Sequence, residues 1–100
     1  MNIVKFAPLA SAGSALAFID VETPAGMVIR DMKLMRGPNG EHWVATPSIK
    51  ETDRDGNPIM NDRGRPRYRE FIAFRNRQTR DRFSGAVIEA VRAAHPEVLR

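Results

Sequence analysis

No cysteine occurs among the 100 residues of the chain. That excludes disulfides, thiolate metal sites and cysteine nucleophiles together, and it suits a reducing cytoplasm, the expected location. No apolar run approaches the length needed to cross a bilayer, so no membrane partner is expected. The first twenty residues have an early lysine, an apolar stretch and small residues, as a secretory leader does. Pro8, Ser11, Gly13 and Ser14 interrupt that stretch, and a cleaved leader is not expected. No internal repeat and no low-complexity tract stands out. There is room for one domain, residues 1–100, with a modest core. A hydrophobic share of 42% argues for a folded chain rather than a disordered one.

The groups needed for catalysis are also missing. Ser48 has no evident base beside it, and Asp53, Asp55 and Asp62 fall in a polar segment that offers little preorganisation. Asp53, Asp55 and Asn57 resemble the start of a calcium loop, but Gly56 comes before the third ligand and no glutamate closes the twelfth position. His42 reads as a rim residue beside Trp43, and His95 is remote from it in sequence. The expectation is therefore no enzyme, no metal, no cofactor and no small-molecule substrate.

What the chain does have is arginine, unevenly placed. Arg63 to Arg82 holds eight arginines against Glu70 and Asp81, a net of +6. The other eight basic and ten acidic residues give −2, so the whole chain stands at +4. A concentrated positive field attracts polyanions. A merely solvated charged face is the plainer reading of the same run.

The pattern of the first half is strands and turns. Asn2–Leu9 reads as a short strand stopped at Ala10–Ser14. Ala15–Glu22 alternates and reads as a second. Thr23–Gly26 is a turn. Met27–Met35 reads as a third strand, although neither of its parities is cleanly apolar. Pro38-Asn39-Gly40 marks a hairpin, with Asn39-Gly40 suited to positive backbone angles. His42–Pro47 is the returning strand. Ser48 to Arg67 reads as a long polar loop, functional or mobile. Tyr68–Phe74 is the last strand, with Arg67, Arg69, Phe71, Ala73 and Arg75 on one parity. A helix follows, capped by Asn76 or Thr79. Phe83, Val87, Val91 and Ala94 form its apolar stripe, which Ile88 widens or extends toward a partner chain, and Pro96 ends it. The fold class expected is α+β: an antiparallel sheet of about five strands with a C-terminal helix, pairing as a dimer through strand edges or helices.

The pieces Asn39-Gly40, Trp43-Val44-Ala45, Pro47-Ser48, Lys50, Asp55-Gly56 and Tyr68-Arg69-Glu70 stand in one order. In that order and spacing the chain resembles the SpoVG family (stage V sporulation protein G, the bacterial septation regulators) from about Ile3 through the helix. The resemblance implies a small homodimeric α+β regulator that binds DNA and RNA without catalysis. It also implies nucleic-acid contact by basic residues near the helix start, here Arg77, Arg80 and Arg82. The chain departs from the family in its longer, more arginine-rich loop, Thr52 to Arg67. It departs again in having Phe74 where a proline is usual.

Chemistry gives the arginine run a specific expectation. Arg63, Arg65, Arg67 and Arg69 alternate with other residues, so an extended chain would line them along one side at about 6–7 Å. Such a comb suits a phosphate backbone, because the guanidinium fork pairs with phosphate oxygens. Lys50, Arg75, Arg77, Arg80 and Arg82 join the expected patch. Tyr68 is expected to stack on a base. Phe71 and Phe74 are expected in the core, and Trp43 in the core or at a dimer interface. The expected partners are DNA or RNA and a second copy of the chain. The competing expectation is a protein-interaction adaptor whose arginine face docks an acidic protein.

Overall fold

The computed structural model describes residues 1–10 and 13–99. Ser11 and Ala12, within the expected break after the first strand, lie outside the described residues. The fold is α+β. Strands β1 (Asn2–Pro8), β2 (Ala15–Glu22), β3 (Val28–Arg36) and β4 (His42–Ala45) form an antiparallel sheet in the order β1-β2-β3-β4. A separate two-stranded ribbon pairs β5 (Ser48–Lys50) with β6 (Tyr68–Glu70). Helix α1 (Arg77–Ala94) follows, then a short 3-10 turn at Pro96–Leu99. No helix among the described residues is long and apolar enough to cross a membrane.

One face of the four-stranded sheet carries the core. Ala17, Ile19 and Val21 of β2, Ile29, Met32 and Leu34 of β3, and Val44 of β4 are buried against Val87, Ile88 and Val91 of α1. Ile88 thus widens the helix stripe into the core. Phe6 and Phe83 pack at the margin, as do Val98 and Leu99 of the 3-10 turn. The imidazole of His95 stacks on the Phe6 ring at 4.0 Å, tying the helix end to β1.

The mixed parity of β3 has a local cause. Ile29 pairs with Val21 but Met32 pairs with Ile19, so β3 carries an extra residue between them. Such a bulge resets the alternation and lets Ile29, Met32 and Leu34 all face inward. Asp31 sits in the bulge at φ 60°, and its amide donates to the Asp20 carboxylate at 3.0 Å. Aspartate tolerates this left-handed region better than most residues, and a β-branched residue does not.

Four of the turns share one design. In Thr23–Met27, Gly37–Glu41, Asp53–Asn57 and Asn61–Arg65 the first amide donates to the last carbonyl. In each, the glycine at the fourth position donates back to the first carbonyl and has positive φ. This is the three-residue loop that ends on a left-handed residue. Asn39 consequently does not take the positive angle expected of it; Gly40 alone does.

The segment expected to be a long loop is ordered by the last two of these turns. They form tandem leaves of the pattern Asx-x-x-Gly-x-Pro, eight residues apart, a repeat that composition had hidden. In the first, the Asp53 carboxylate accepts from the amides of Asp55 and Asn57; in the second, the Asn61 side chain accepts from Arg63 and Arg65. The leaves meet the β5–β6 ribbon at a closed ring of amides. Glu51 donates to Arg67 at 2.8 Å, Arg67 to Ile59 at 2.9 Å, and Ile59 to Glu51 at 3.0 Å. Together they make an arm, residues 48–70. The molecule extends 44 Å along its longest axis, and its radius of gyration is 14.9 Å, against about 13 Å for a compact chain of this length.

The last strand is shorter than its apolar pattern suggests. Pairing stops at Ser48 opposite Glu70. The next partner position is Pro47, which has no amide to donate, and residues 71–75 run irregularly to the helix.

Replacing Asp31 by valine is expected to cost about 2 kcal/mol, the order of a strained left-handed residue. Asp31→Gly should change stability by less than about 1 kcal/mol, relief of strain offsetting chain entropy. Urea unfolding of both variants checks this, and equal losses would contradict the bulge assignment.

Candidate nucleic-acid interface

Helix α1 begins where basic residues should be least welcome. Asn76 is the N-cap, with extended backbone at φ −160°, and its side-chain oxygen accepts from the Thr79 amide at 2.8 Å and the Thr79 hydroxyl at 2.9 Å. Arg77 and Arg80 occupy the first turn and no acidic residue does. The partial positive charge of a helix N-terminus favours anions there, so these arginines work against helix stability. Arg77 reaches Asp81 only at 4.0 Å and is almost fully exposed. Arg75, Arg80 and Arg82 make no ion pair among the described residues.

The fold redistributes the charge seen in the sequence. The arm holds Lys50, Arg54, Arg63, Arg65, Arg67 and Arg69 against Glu51, Asp53, Asp55, Asp62 and Glu70, a net of only +1. Residues 75–82 hold four arginines against Asp81, a net of +3. The remaining residues balance at six of each sign. The electrostatic focus is therefore the helix start.

The expected comb of four arginines does not form. Arg63 and Arg65 belong to the second leaf, where Asn61 and Gly64 fold the chain back on itself. Arg67 follows the amide ring and pairs with Glu51 at 3.5 Å. Arg69 lies in β6 opposite Ile49, and Tyr68 lies opposite Lys50. What the arm does present is a mix of exposed basic and aromatic groups. Tyr68 and Phe71 are each 59% exposed, and the Arg69 guanidinium lies 5.8 Å from the Phe71 ring centre. Phe71 is thus a surface residue and not core, because no strand pairs with its segment and no helix covers it. The sequence held a signal for this: Phe71 shares its parity with Arg67, Arg69 and Arg75. Phe74 is not a core residue either: it is half-buried beside Phe83, with ring centres 5.3 Å apart, outside the buried cluster.

Between the arm root and the helix start lies a hollow of about 440 Å³. Its wall includes Val44, Ile72, Phe74 and Phe83, and Arg77 and Arg80 also line it. Glu70, the last residue of β6, lines it too, so the arm root and the helix arginines meet there. A second hollow of about 420 Å³ shares Val44, Arg77, Arg80 and Ser84 and adds Trp43. Trp43 is half-buried on edge strand β4. The hydroxyl of Ser84 accepts from the Val44 amide at 3.1 Å, which closes this point of the β4 edge. Nothing in the sequence pattern pointed to the hollow, because it is built from three segments that meet only through the fold. The neighbouring His42 is half-buried, and its Nε2 has no partner among the described residues.

No family model matches the chain, and no curated protein or solved structure matches it.

Changing Arg80 to glutamate places a carboxylate in the first helical turn, one turn from Arg77. The expected result is a gain of about 0.5 kcal/mol in stability, measured by chemical denaturation. A loss would show that the Arg80 cation supports the fold and is not in conflict with it.

Proposed function

We propose that the protein is a non-enzymatic nucleic-acid-binding regulator, anchored by the helix-start arginines and assisted by the arm. The observation that carries this reading is the concentration of charge. Three of the four net positive charges sit in residues 75–82, at a helix terminus that itself favours anions. The fold accepts an electrostatic cost there that a bound phosphate would relieve. Exposed Tyr68 and Phe71 stand at the root of the arm, with Arg67 and Arg69 between and beside them. Aromatic faces and guanidinium groups together are the ordinary equipment of single-strand binding. The resemblance to the SpoVG family points the same way.

Arg75, Arg77, Arg80 and Arg82 hold the backbone in this reading. Lys50, Arg67 and Arg69 extend the contact, and Arg63 and Arg65 reach it from the second leaf. Phosphate contacts position a strand without reading its bases, so sequence preference is weak. The active unit is a homodimer. The Val44–Ser84 bond blocks part of the β4 edge, which leaves β1, with Val4 exposed, as the more accessible edge for a second copy.

Fluorescence anisotropy on matched single-stranded DNA, duplex DNA and RNA, each across a salt range, tests the reading. Binding should fall steeply with salt, and Arg65→Ala, Arg67→Ala and Arg69→Ala together should weaken all three ligands and flatten the slope by about 2 on single strands. Unchanged affinity in that triple variant would remove the arm from the interface. No binding to any strand at low salt would instead favour docking of an acidic protein. Light scattering at micromolar concentration should report twice the chain mass; a monomer would remove the dimer.

A further inference from the structure

Resting on the nucleic-acid reading, we propose that the hollow between the arm root and the helix start holds one unstacked nucleobase, with its phosphate on Arg77 and Arg80. The volume of about 440 Å³ falls in the range of pockets that enclose small ligands, which run from roughly 300 Å³ upward. That is room for a nucleotide. Apart from the Glu70 carboxylate, the lining divides as a nucleotide does. Phe74 and Phe83 offer rings to a flat base, with aliphatic Val44 and Ile72 beside them. Arg77 and Arg80 offer guanidinium forks, and the helix terminus adds its favourable field for a phosphate.

Arg80 has no acidic partner among the described residues, and Arg77 is held only loosely, so both are available to an anion. The polar groups at the wall suit a base edge. Ser84 receives the Val44 amide on its oxygen and retains its hydroxyl proton for donation.

The consequence is a preference for single strands. A duplex keeps its bases stacked and paired, whereas a loop or free strand can turn one base outward. Tyr68 and Phe71 stack bases on an open surface, while the half-open hollow seats one.

The test separates this inference from the reading it rests on. Ala73 lines the hollow but is itself exposed in the irregular segment, so Ala73→Leu fills space without removing charge or core. The comparison uses oligothymidylate and the same strand with abasic positions, in a Tyr68→Ala, Phe71→Ala background that removes surface stacking. The base-bearing strand should bind about tenfold tighter than the abasic one. Ala73→Leu should abolish that ratio and leave abasic binding unchanged. In the parent protein, thymidine 5′-monophosphate should shift the amide resonances of Phe74 and Phe83. A ratio unaffected by Ala73→Leu overturns the base pocket while strand binding stands. Shifts from the nucleotide with no strand binding overturn the nucleic-acid reading and keep the hollow as a nucleotide site. Neither response overturns both.

Discussion

The packing of one helix across one sheet face decides most of this molecule. Val87, Ile88 and Val91 close over β2, β3 and β4, and with them nearly all of the core is spent. The helix cannot shift without exposing that core, so its N-terminus is fixed beside edge strand β4. Ser84 pins it there through the Val44 amide. The arginines of the first turn are consequently held at a set place by apolar burial two turns away. A site on a rigid element is more precise than one on a loop, and here the rigidity comes from the core itself.

The arm follows the opposite logic. Its two strands are exposed along their length and it has no core of its own. Hydrogen bonds shape it: two Asx-headed leaves and a ring of three backbone amides at Glu51, Ile59 and Arg67. Such bonds hold a shape but stabilise it little in water, since each replaces a bond to solvent. Near-balanced charge lets the leaves lie close together without strong repulsion. An arm of this kind can keep aromatic rings on the surface without burying them in a partnerless core.

Much of the fold was legible in the sequence because the signals were local. β2, the Pro-Asn-Gly hairpin and the helix with its Asn76 cap follow from alternation, turn chemistry and capping. β3 was ambiguous for a physical reason, since a single bulge at Asp31 exchanges its faces midway. The segment from Ser48 to Arg67 looked irregular because its order lies in turns and backbone amides, which leave no apolar period to read. The site was legible in part. Residue type marked the helix-start arginines, but alternation misled at Arg63 and Arg65, where Gly64 turns the chain. Phe71 was misplaced by its residue type, although its parity set it among arginines. The hollow joins β4, residues 70–76 and the helix, and no linear pattern encodes such a meeting.

The charge tally per folded unit changes the emphasis that the linear run suggests. The arm is almost neutral and the helix start is not, so the proposed interface takes the helix start as its anchor and the arm as its accessory. Hydrogen-exchange mass spectrometry, with and without a short oligothymidylate at low salt, tests this most directly. The account predicts slowed exchange in the first turns of α1 and in residues 68–76, with β1 and the first leaf little changed. Protection confined to the leaves, or to the β1 edge, with none at the helix start would contradict it.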